Sequence, residues 1–277
     1  MNMTSRLRKI PFWSWIWFVL GVLYFVLPLY ATLDFSLRMD RDRISFKAYT
    51  TAFADKAFLE TFSFSVMLAI ATIIVSIILI VPTAYWIRLR LPEARRIVEL
   101  ITLLPFAIPA IILVFGLIRV YSAALQIPFT DITLIKPLTN FKFGTNILIV
   151  AGYVVLALPY MYRSVDTGMR TVDVRTLTEA AQSLGASWST IILRVILPNI
   201  RTALLSGALL TFAIVIGEVV LASFLAVQSF GPYLFLLGQH KAYEPAALSF
   251  TTFLLTWIAM GIIQLVTGGQ GQVSGAH

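Results

Sequence analysis

The amino-acid sequence predicts an all-α polytopic membrane protein, and three observations carry this prediction. Hydrophobic residues make up 59% of the chain and charged residues only 12%, against about 25% charged in an average soluble domain. The apolar residues form blocks of about 20 residues or more, long enough for a helix to cross a bilayer. The basic residues lie in short segments beside these blocks, as the positive-inside rule describes.

Six apolar blocks predict six transmembrane helices. They lie at about residues 11–33, 62–87, 98–121, 145–162, 202–227 and 247–267. Several prolines fall inside the blocks, where a proline removes a backbone donor and bends or breaks a helix. These prolines are Pro82, Pro105, Pro109 and Pro159. We therefore expect bent helices, which serve either packing geometry or a pathway between them.

The basic residues also predict an orientation. Arg6, Arg8 and Lys9 precede the first block and indicate a cytoplasmic N-terminus. Alternation then places the arginine-containing loop near 88–96 and the long loop 163–201 in the cytoplasm. The first block is longer than the core of a signal peptide and has no clear small-residue cleavage site, so we expect it to be retained.

Composition excludes several kinds of site. The chain has no cysteine, which rules out disulfides and thiolate metal ligands. The two histidines, His240 and His277, leave little for zinc binding or histidine-based catalysis. No G-x-x-x-x-G-K-[ST] phosphate loop is present, so the chain does not supply ATP chemistry itself. We predict no catalytic residue, no metal site and no cofactor, and a protein that is not an enzyme.

The most informative segment lies in the long loop between the fourth and fifth blocks. It runs Glu179-Ala180-Ala181-Gln182-Ser183-Leu184-Gly185 and is closed by Leu197-Pro198. An apolar stripe at helical spacing is formed by Leu177, Ala181, Leu184 and Trp188. Gly185 would cost about 1 kcal/mol inside a helix and so marks a bend. Leu197-Pro198 should end the second helix, because the residue before a proline leaves the helical region. The pattern predicts a helical elbow that docks into another protein.

Two interpretations of Glu179 stay open at this point. Thr176 and Glu179 fit a capping box, in which both side chains satisfy backbone donors at the start of a helix. Alternatively, Glu179 contacts the partner protein. Gly185 is more simply architectural, because a side chain there would obstruct the bend or the approach of the partner.

The elbow resembles the EAA loop of permease subunits in binding-protein-dependent ABC importers. The resemblance is carried by the Glu179-Ala180-Ala181 triplet, by Gly185 and by Leu197-Pro198, and it extends over about residues 60–265. Val195 stands where the family usually has isoleucine. The resemblance implies the type I ABC importer permease fold, in the bacterial cytoplasmic (inner) membrane.

The same resemblance implies a division of the chain. Residues 1–60 would form an N-terminal transmembrane helix with an external loop. Residues 61–267 would form the permease core, with the coupling loop at 174–198. Residues 268–277 would be a flexible tail.

Partners follow from the resemblance as well. A coupling helix at about 176–187 would sit in a groove of a cytoplasmic ABC ATPase dimer, which is a separate polypeptide. The predicted coupling residues are Glu179, Ala180, Ala181 and Gly185. The other implied partners are an extracytoplasmic solute-binding protein and a second permease subunit, a related but distinct paralogue; no nucleic acid is expected.

Glu218 is the sharpest polar feature inside a predicted span. An ionised carboxylate in hydrocarbon is expensive, so it should face the translocation pathway or pair with a neighbour such as Arg119. Both alternatives stay open. Gly217-Glu218 followed by Ala222-Ser223-Phe224-Leu225 looks most like the polyamine and iron branch of the family, which implies a polyamine-like cation as solute.

Two other functional classes compete with the permease. An ion-coupled secondary transporter would use charges inside the membrane, but only Glu218 is well placed, and the elbow would have no role. An intramembrane enzyme would need a catalytic cluster that the sequence lacks. We therefore expect a permease subunit of an ATP-driven importer that has no catalytic activity of its own.

Overall fold

The structure, a computed structural model, describes residues 12–40, 43–122, 125–126, 133–135 and 137–268. Within these ranges the chain is mainly helical, which confirms the all-α prediction. The strands described there are β1 (Leu125–Gln126) and β2 (Thr133–Ile135), which pair antiparallel. Two predictions lie outside the described residues: the basic group Arg6, Arg8 and Lys9, and the flexible tail 268–277 apart from Gly268, which is the last residue of the helix Tyr243–Gly268.

The N-terminal half contains five helices within the described ranges. They are α1 (Phe12–Ser36), α2 (Lys47–Ala54), α3 (Lys56–Leu89), α4 (Arg95–Ala107) and α5 (Ala110–Tyr121). A 3₁₀ turn, Pro92–Ala94, joins α3 to α4. The Asp55 side chain caps α3 by accepting a hydrogen bond from the backbone N–H of Ala57.

The C-terminal half starts with a 3₁₀ turn, Leu138–Asn140. Its helices are α6 (Lys142–Arg170), α7 (Val174–Ser183), α8 (Trp188–Thr190), α9 (Leu197–Asn199), α10 (Arg201–Gly217), α11 (Val220–Phe224), α12 (Phe230–His240) and α13 (Tyr243–Gly268). A π-helical turn, Ile191–Ile196, joins α8 to α9.

Several helices are long and apolar enough to cross a membrane. In the part of the chain that the structure describes, three do so singly: Trp13–Ser36, Lys56–Leu89 and Lys142–Arg170. The number rises to five if two sharply bent pairs each count as one span. In addition, the 26-residue helix α13 covers the sixth predicted block.

The third predicted span is not one straight helix. Its residues form α4 and α5, and the chain bends by 101° between Pro92–Ala107 and Ala110–Tyr121. Ile108 between them is extended, with φ −98° and ψ 116°, because the following Pro109 disfavours helical geometry in the residue before it. Pro105 stays inside α4, as Pro82 does in α3 and Pro159 in α6.

The fifth predicted span, 202–227, also differs from a single helix. Helix α10 ends at Gly217, and Glu218 is extended with φ −78° and ψ 127°. The Glu218 carboxylate accepts hydrogen bonds from the backbone N–H groups of Leu221 and Ala222, at 2.8 and 3.2 Å. It thereby begins α11 as a separate helix, whereas an uninterrupted apolar run predicted continuity. Helix α12, between the fifth and sixth blocks, was not predicted.

Helix α6 is the centre of the bundle and packs against both α3 and α10. One buried cluster surrounds Tyr85, Met161 and Ile191 at the end of the bundle that carries α7. A second surrounds Leu148 and Tyr153 near the other end. Helix α1 lies outside this core and packs against α13. Its apolar residues are exposed, so it has a free face for lipid or another subunit.

Candidate coupling site

The elbow begins with a cap that sequence analysis missed. Helix α7 starts at Val174, and the Asp173 carboxylate accepts hydrogen bonds from the Thr176 hydroxyl at 2.7 Å and the Thr176 backbone N–H at 3.1 Å. These bonds hold the pKa of Asp173 below its usual value, the hydroxyl bond being the larger cause. Asp173 satisfies a donor that the first helical turn would otherwise leave unpaired.

The capping-box interpretation of Glu179 is therefore wrong. Thr176 lies within the first turn of α7, and its hydroxyl donates to Asp173. Glu179 instead accepts a hydrogen bond from Arg175 Nε at 2.9 Å, which raises the pKa of Arg175. The Glu179 side chain is 62% exposed, so the contact interpretation remains.

The inner face of α7 is tied to a membrane helix. Thr178 is buried, and its hydroxyl donates to the carbonyl of Val174 at 2.6 Å. The hydroxyl of Tyr85, in α3, lies 3.0 Å from the hydroxyl oxygen of Thr178. Because the Thr178 proton is already committed, Tyr85 donates this second bond. This bond ties α7 directly to α3.

We expect Tyr85→Phe to weaken this connection while the fold is kept. A net hydrogen bond is worth about 0.5–1.5 kcal/mol, so the melting temperature should fall slightly. Solute-stimulated ATP hydrolysis should fall further, because the link between α3 and α7 is loosened. Tyr49→Phe is the matched control, since it removes a bond of 2.8 Å to Ser36 outside the elbow. Equal loss of coupling in both variants would contradict this role of Tyr85.

Gly185 forms the bend that the sequence predicts. Its φ is +78°, a left-handed conformation that favours glycine. The N–H of Gly185 bonds to the carbonyl of Gln182 at 2.9 Å, and the N–H of Ala186 bonds to the carbonyl of Ala181 at 3.0 Å. These two bonds are a Schellman motif, which ends a helix by satisfying its last carbonyls.

The predicted apolar stripe is only partly correct. Leu177, Ala181 and Trp188 are half-buried, whereas Leu184 is 89% exposed and is not part of the inner face. The helix reaches its C-cap at Leu184, so the periodicity of the preceding turns no longer applies there. An apolar side chain of this size, fully presented beside Glu179 and Ala180, is typical of a contact surface.

Trp188 anchors the far side of the bend. Its ring stacks on Trp86 of α3, with centroids 4.9 Å apart, and meets Tyr85 edge-on at 5.7 Å. The Arg90 guanidinium lies 5.8 Å from the Trp86 ring and 5.9 Å from the Trp188 ring, within the range of cation–π attraction. Both limbs of the elbow are therefore fastened to the same end of α3.

The second limb ends later than predicted. Pro198 lies within α9, which reaches Asn199, and the bend to α10 is 81°. The π-helical turn Ile191–Ile196 directly precedes α9, and the helix continues through Pro198 for one more residue. Leu197-Pro198 is thus next to the corner, which itself lies at Ile200.

An ion cluster that the sequence did not indicate lies close to the elbow along the chain. Asp166 of α6 has a 17% exposed side chain and contacts Arg170 Nη2 at 2.7 Å and Arg95 Nη2 at 3.2 Å. Arg95 also bonds to Glu99 at 2.9 Å. The cluster joins the start of α4 to the end of α6, so it holds these two helix ends together.

Glu218, the residue predicted at the translocation pathway, is flanked by Val215 and Leu221, which belong to a different buried cluster from Val174 of α7. It is 9% exposed and sits at the α10–α11 break, where the backbone of Gly231 in α12 packs against its carbonyl. Arg119 is exposed, and among the described residues it forms no ion pair with Glu218. The buried Tyr153 hydroxyl lies near this carboxylate and near the Ser229 hydroxyl, but neither hydroxyl makes a hydrogen bond of ordinary geometry within the described residues.

Comparison with known proteins identifies the family to which this chain belongs. Residues 80–269 match the family described as binding-protein-dependent transport system inner membrane component. A probable molybdenum ABC transporter permease protein of Haloferax volcanii is 32% identical over 209 residues, covering 73% of this chain and 72% of that protein. The spermidine/putrescine transport system permease protein PotC of Haemophilus influenzae is 38% identical over 82 residues, 30% of this chain and 32% of that protein.

A solved structure supports the fold independently. The chain aligns with a bacterial ABC transporter involved in the import of the acidic polysaccharide alginate, with a TM-score of 0.65. The alignment covers 92% of this chain and 96% of that chain at 16% identity, which speaks for the fold alone. The predicted permease fold is confirmed. The chain belongs to the family of binding-protein-dependent transport system inner membrane components, and it is a permease subunit of an ABC importer and not an enzyme.

Proposed function

We propose that α7 and the turn at Gly185 form the element through which a cytoplasmic ATPase dimer drives this permease. The observation that carries the proposal is the two-sided character of α7. Its inner face is bonded to α3 through Thr178 and Tyr85, while Leu184 on the outer side is 89% exposed. A surface of this kind can receive a partner and pass its movement into the bundle.

The predicted coupling residues have different tasks in this proposal. Glu179 and Ala180 are exposed and would contact the ATPase, together with Leu184. Ala181 is half-buried, and its small side chain would let α7 lie close to the bundle. Gly185 would set the angle between the two limbs of the elbow.

The proposed assembly follows the division predicted from the sequence. Residues 1–60 would provide an accessory helix and an external loop, and residues 61–267 the permease core with its coupling loop at 174–198. The N-terminus would be cytoplasmic, which puts α7 on the ATPase side. A distinct paralogous permease would complete the pathway, and an extracytoplasmic binding protein would deliver the solute.

Glu218 has a proposed role at the translocation pathway. Its neighbours Gly217 and Val219 line a cavity of about 740 Å³ between α10, α12 and α13. By capping α11, the Glu218 carboxylate stabilises the break between α10 and α11. This break forms part of the cavity wall. In this proposal Glu218 fixes the shape of the pathway and contributes negative charge to it.

For the solute, the sequence-based candidate is a polyamine-like cation, attracted by Glu218. A second candidate is an inorganic oxyanion, and one observation favours it. The relative named for molybdenum matches 73% of this chain, against 30% for the relative named for spermidine and putrescine. Backbone donors already engage both Glu218 oxygens, which weakens their attraction for a cation.

Reconstitution in proteoliposomes with the ATPase and binding protein tests the function and separates the solutes. We expect uptake that requires ATP hydrolysis and persists when ionophores collapse the ion gradients. Uptake driven by an ion gradient without ATP would instead establish a secondary transporter. Stimulation of ATP hydrolysis by spermidine but not molybdate would support the cation, and the reverse would support the oxyanion.

Glu179→Ala tests the charged contact at the elbow. The Arg175–Glu179 pair is exposed to solvent and adds little to stability, and alanine favours the helix, so the melting temperature should change little. Solute-stimulated ATP hydrolysis should nevertheless fall several-fold if the carboxylate contacts the ATPase. Glu93→Ala, which changes an exposed acid in the Pro92–Ala94 turn, is the control. Normal stimulation in the Glu179 variant would remove this residue from the contact.

A further inference from the structure

A second cavity lies between α4, α6 and α10, away from the Glu218 break. It has a volume of about 380 Å³, within the range of small-molecule pockets. Its polar lining contains one cation and several hydroxyls but no acid: Tyr160, Arg163, Ser164, Thr167 and Ser206. Its apolar lining includes Leu103, Phe106 and Leu210. This composition fits a ligand with a negatively charged group. A larger ligand could also place an apolar portion against the apolar lining.

Arg163, which is exposed on the open side of the cavity together with Thr167 and Ser206, gives the cavity its charge. The next acid along α6, Asp166, contacts Arg95 and Arg170. Arg163 itself has no carboxylate partner within 4.0 Å among the described residues. An arginine offers five N–H donors in a planar fork, which matches the oxygens of a phosphate or a similar oxyanion.

The position of the cavity suits such a ligand. Arg163 lies seven residues before the end of α6, which is about 10 Å along a helix. In the orientation proposed above, this is the cytoplasmic side of the membrane, close to the level of the lipid headgroups. The exposed side chains of Leu103 and Phe106, 47% and 60% accessible, continue the cavity wall toward the hydrocarbon.

We propose that this cavity is a binding site for a tetrahedral oxyanion, with Arg163 as its principal ligand and the neighbouring hydroxyls as further donors. Two sources share this chemistry: the phosphate of an anionic phospholipid and a free inorganic oxyanion that enters from the cytoplasmic side. The site rests on the proposed orientation but not on the identity of the transported solute.

The test compares Arg163→Gln with Arg96→Gln in the full-length chain, reconstituted in nanodiscs. Arg96 is an exposed arginine near the start of α4 and does not line the cavity, so both variants lose the same charge. Native mass spectrometry measures retained phosphatidylglycerol, and equilibrium titration measures binding of inorganic molybdate. Loss of a charge-assisted bond should weaken binding by about tenfold or more.

The two arms distinguish the sources. A tenfold loss of phosphatidylglycerol in Arg163→Gln alone assigns the site to a lipid headgroup, and a corresponding loss of molybdate assigns it to a free oxyanion. Equal behaviour of the two variants toward both probes would overturn the site. If Arg163→Gln does not fold, Ser206→Leu fills the cavity without changing charge, and unaltered binding in that variant would also overturn it. Neither readout involves transport, so failure here leaves the proposed function intact.

Discussion

Gly185→Leu should abolish ATPase coupling while the protein still inserts into the membrane. At φ +78°, a residue with a side chain pays roughly 1–2 kcal/mol relative to right-handed geometry. The chain would relieve this strain by reshaping the Schellman turn, which moves Leu184 and the end of α7 away from their docking position. We expect recovery of the ATPase with the purified permease to fall at least tenfold, and solute uptake to fall with it.

Gly21→Leu is the control for this prediction. Gly21 lies on the exposed helix α1, and a side chain there meets no atom within 4 Å. This variant should retain the ATPase and transport normally. Unchanged ATPase recovery and uptake in Gly185→Leu would remove the elbow from the coupling mechanism.

Glu218→Gln should give an assembled complex with strongly reduced transport. The amide keeps one acceptor oxygen, but its nitrogen cannot accept the second backbone N–H at the start of α11. Hydrogen bonds to a charged group are worth about 1.5–3 kcal/mol, so the α10–α11 break should lose stability of this order. The wall of the adjoining cavity is then less well fixed, and solute uptake measures the consequence.

Glu244→Gln is matched to this variant because Glu244 is also buried and starts a helix. It pairs with Lys241 at 3.2 Å and is remote from the α10–α11 break in sequence. If both variants assemble but only Glu218→Gln loses uptake, the role at the pathway is supported. Wild-type uptake in Glu218→Gln would make Glu218 a bystander, and failure to assemble would make it a purely structural residue.

Local chemistry explains what could be predicted from the sequence at the elbow. The bend at Gly185 was predictable because a single residue type meets a local conformational demand. The exposure of Leu184 was not, because the helix ends at that residue and helical periodicity no longer tells which way a side chain faces. The link from Thr178 to Tyr85 joins residues 93 positions apart, which no local pattern indicates.

Of the two helix breaks, one could be predicted from the sequence and the other could not. The break at Pro109 follows from the steric demand of proline on the residue before it. The break at Glu218 depends on a side chain that takes over two backbone donors, and hydropathy does not detect this. Because Glu218 is an acid in an apolar run, the sequence allowed us to select this position as a candidate functional residue. It did not allow us to predict that the carboxylate caps α11.

The ion pairs around Asp166 could not be predicted from the pattern of charges along the sequence. The arginines near residues 88–96 and 163–201 predicted a membrane orientation, but such a charge pattern does not predict which residues form ion pairs. Only the packing of α4 against α6 brings Arg95 within 3.2 Å of Asp166. In the structure, Arg95 and Arg170 hold the ends of α4 and α6 together through Asp166.

Site-specific crosslinking tests most directly whether the exposed side of the elbow docks into the ATPase. The chain contains no cysteine, so Leu184→Cys introduces a unique thiol for a short photoactivatable crosslinker. We predict an adduct with the ATPase that changes in yield when ATP is bound. Tyr24→Cys on the exposed face of α1 should give none. An assembled, transporting complex in which position 184 yields no ATPase adduct would contradict the claim.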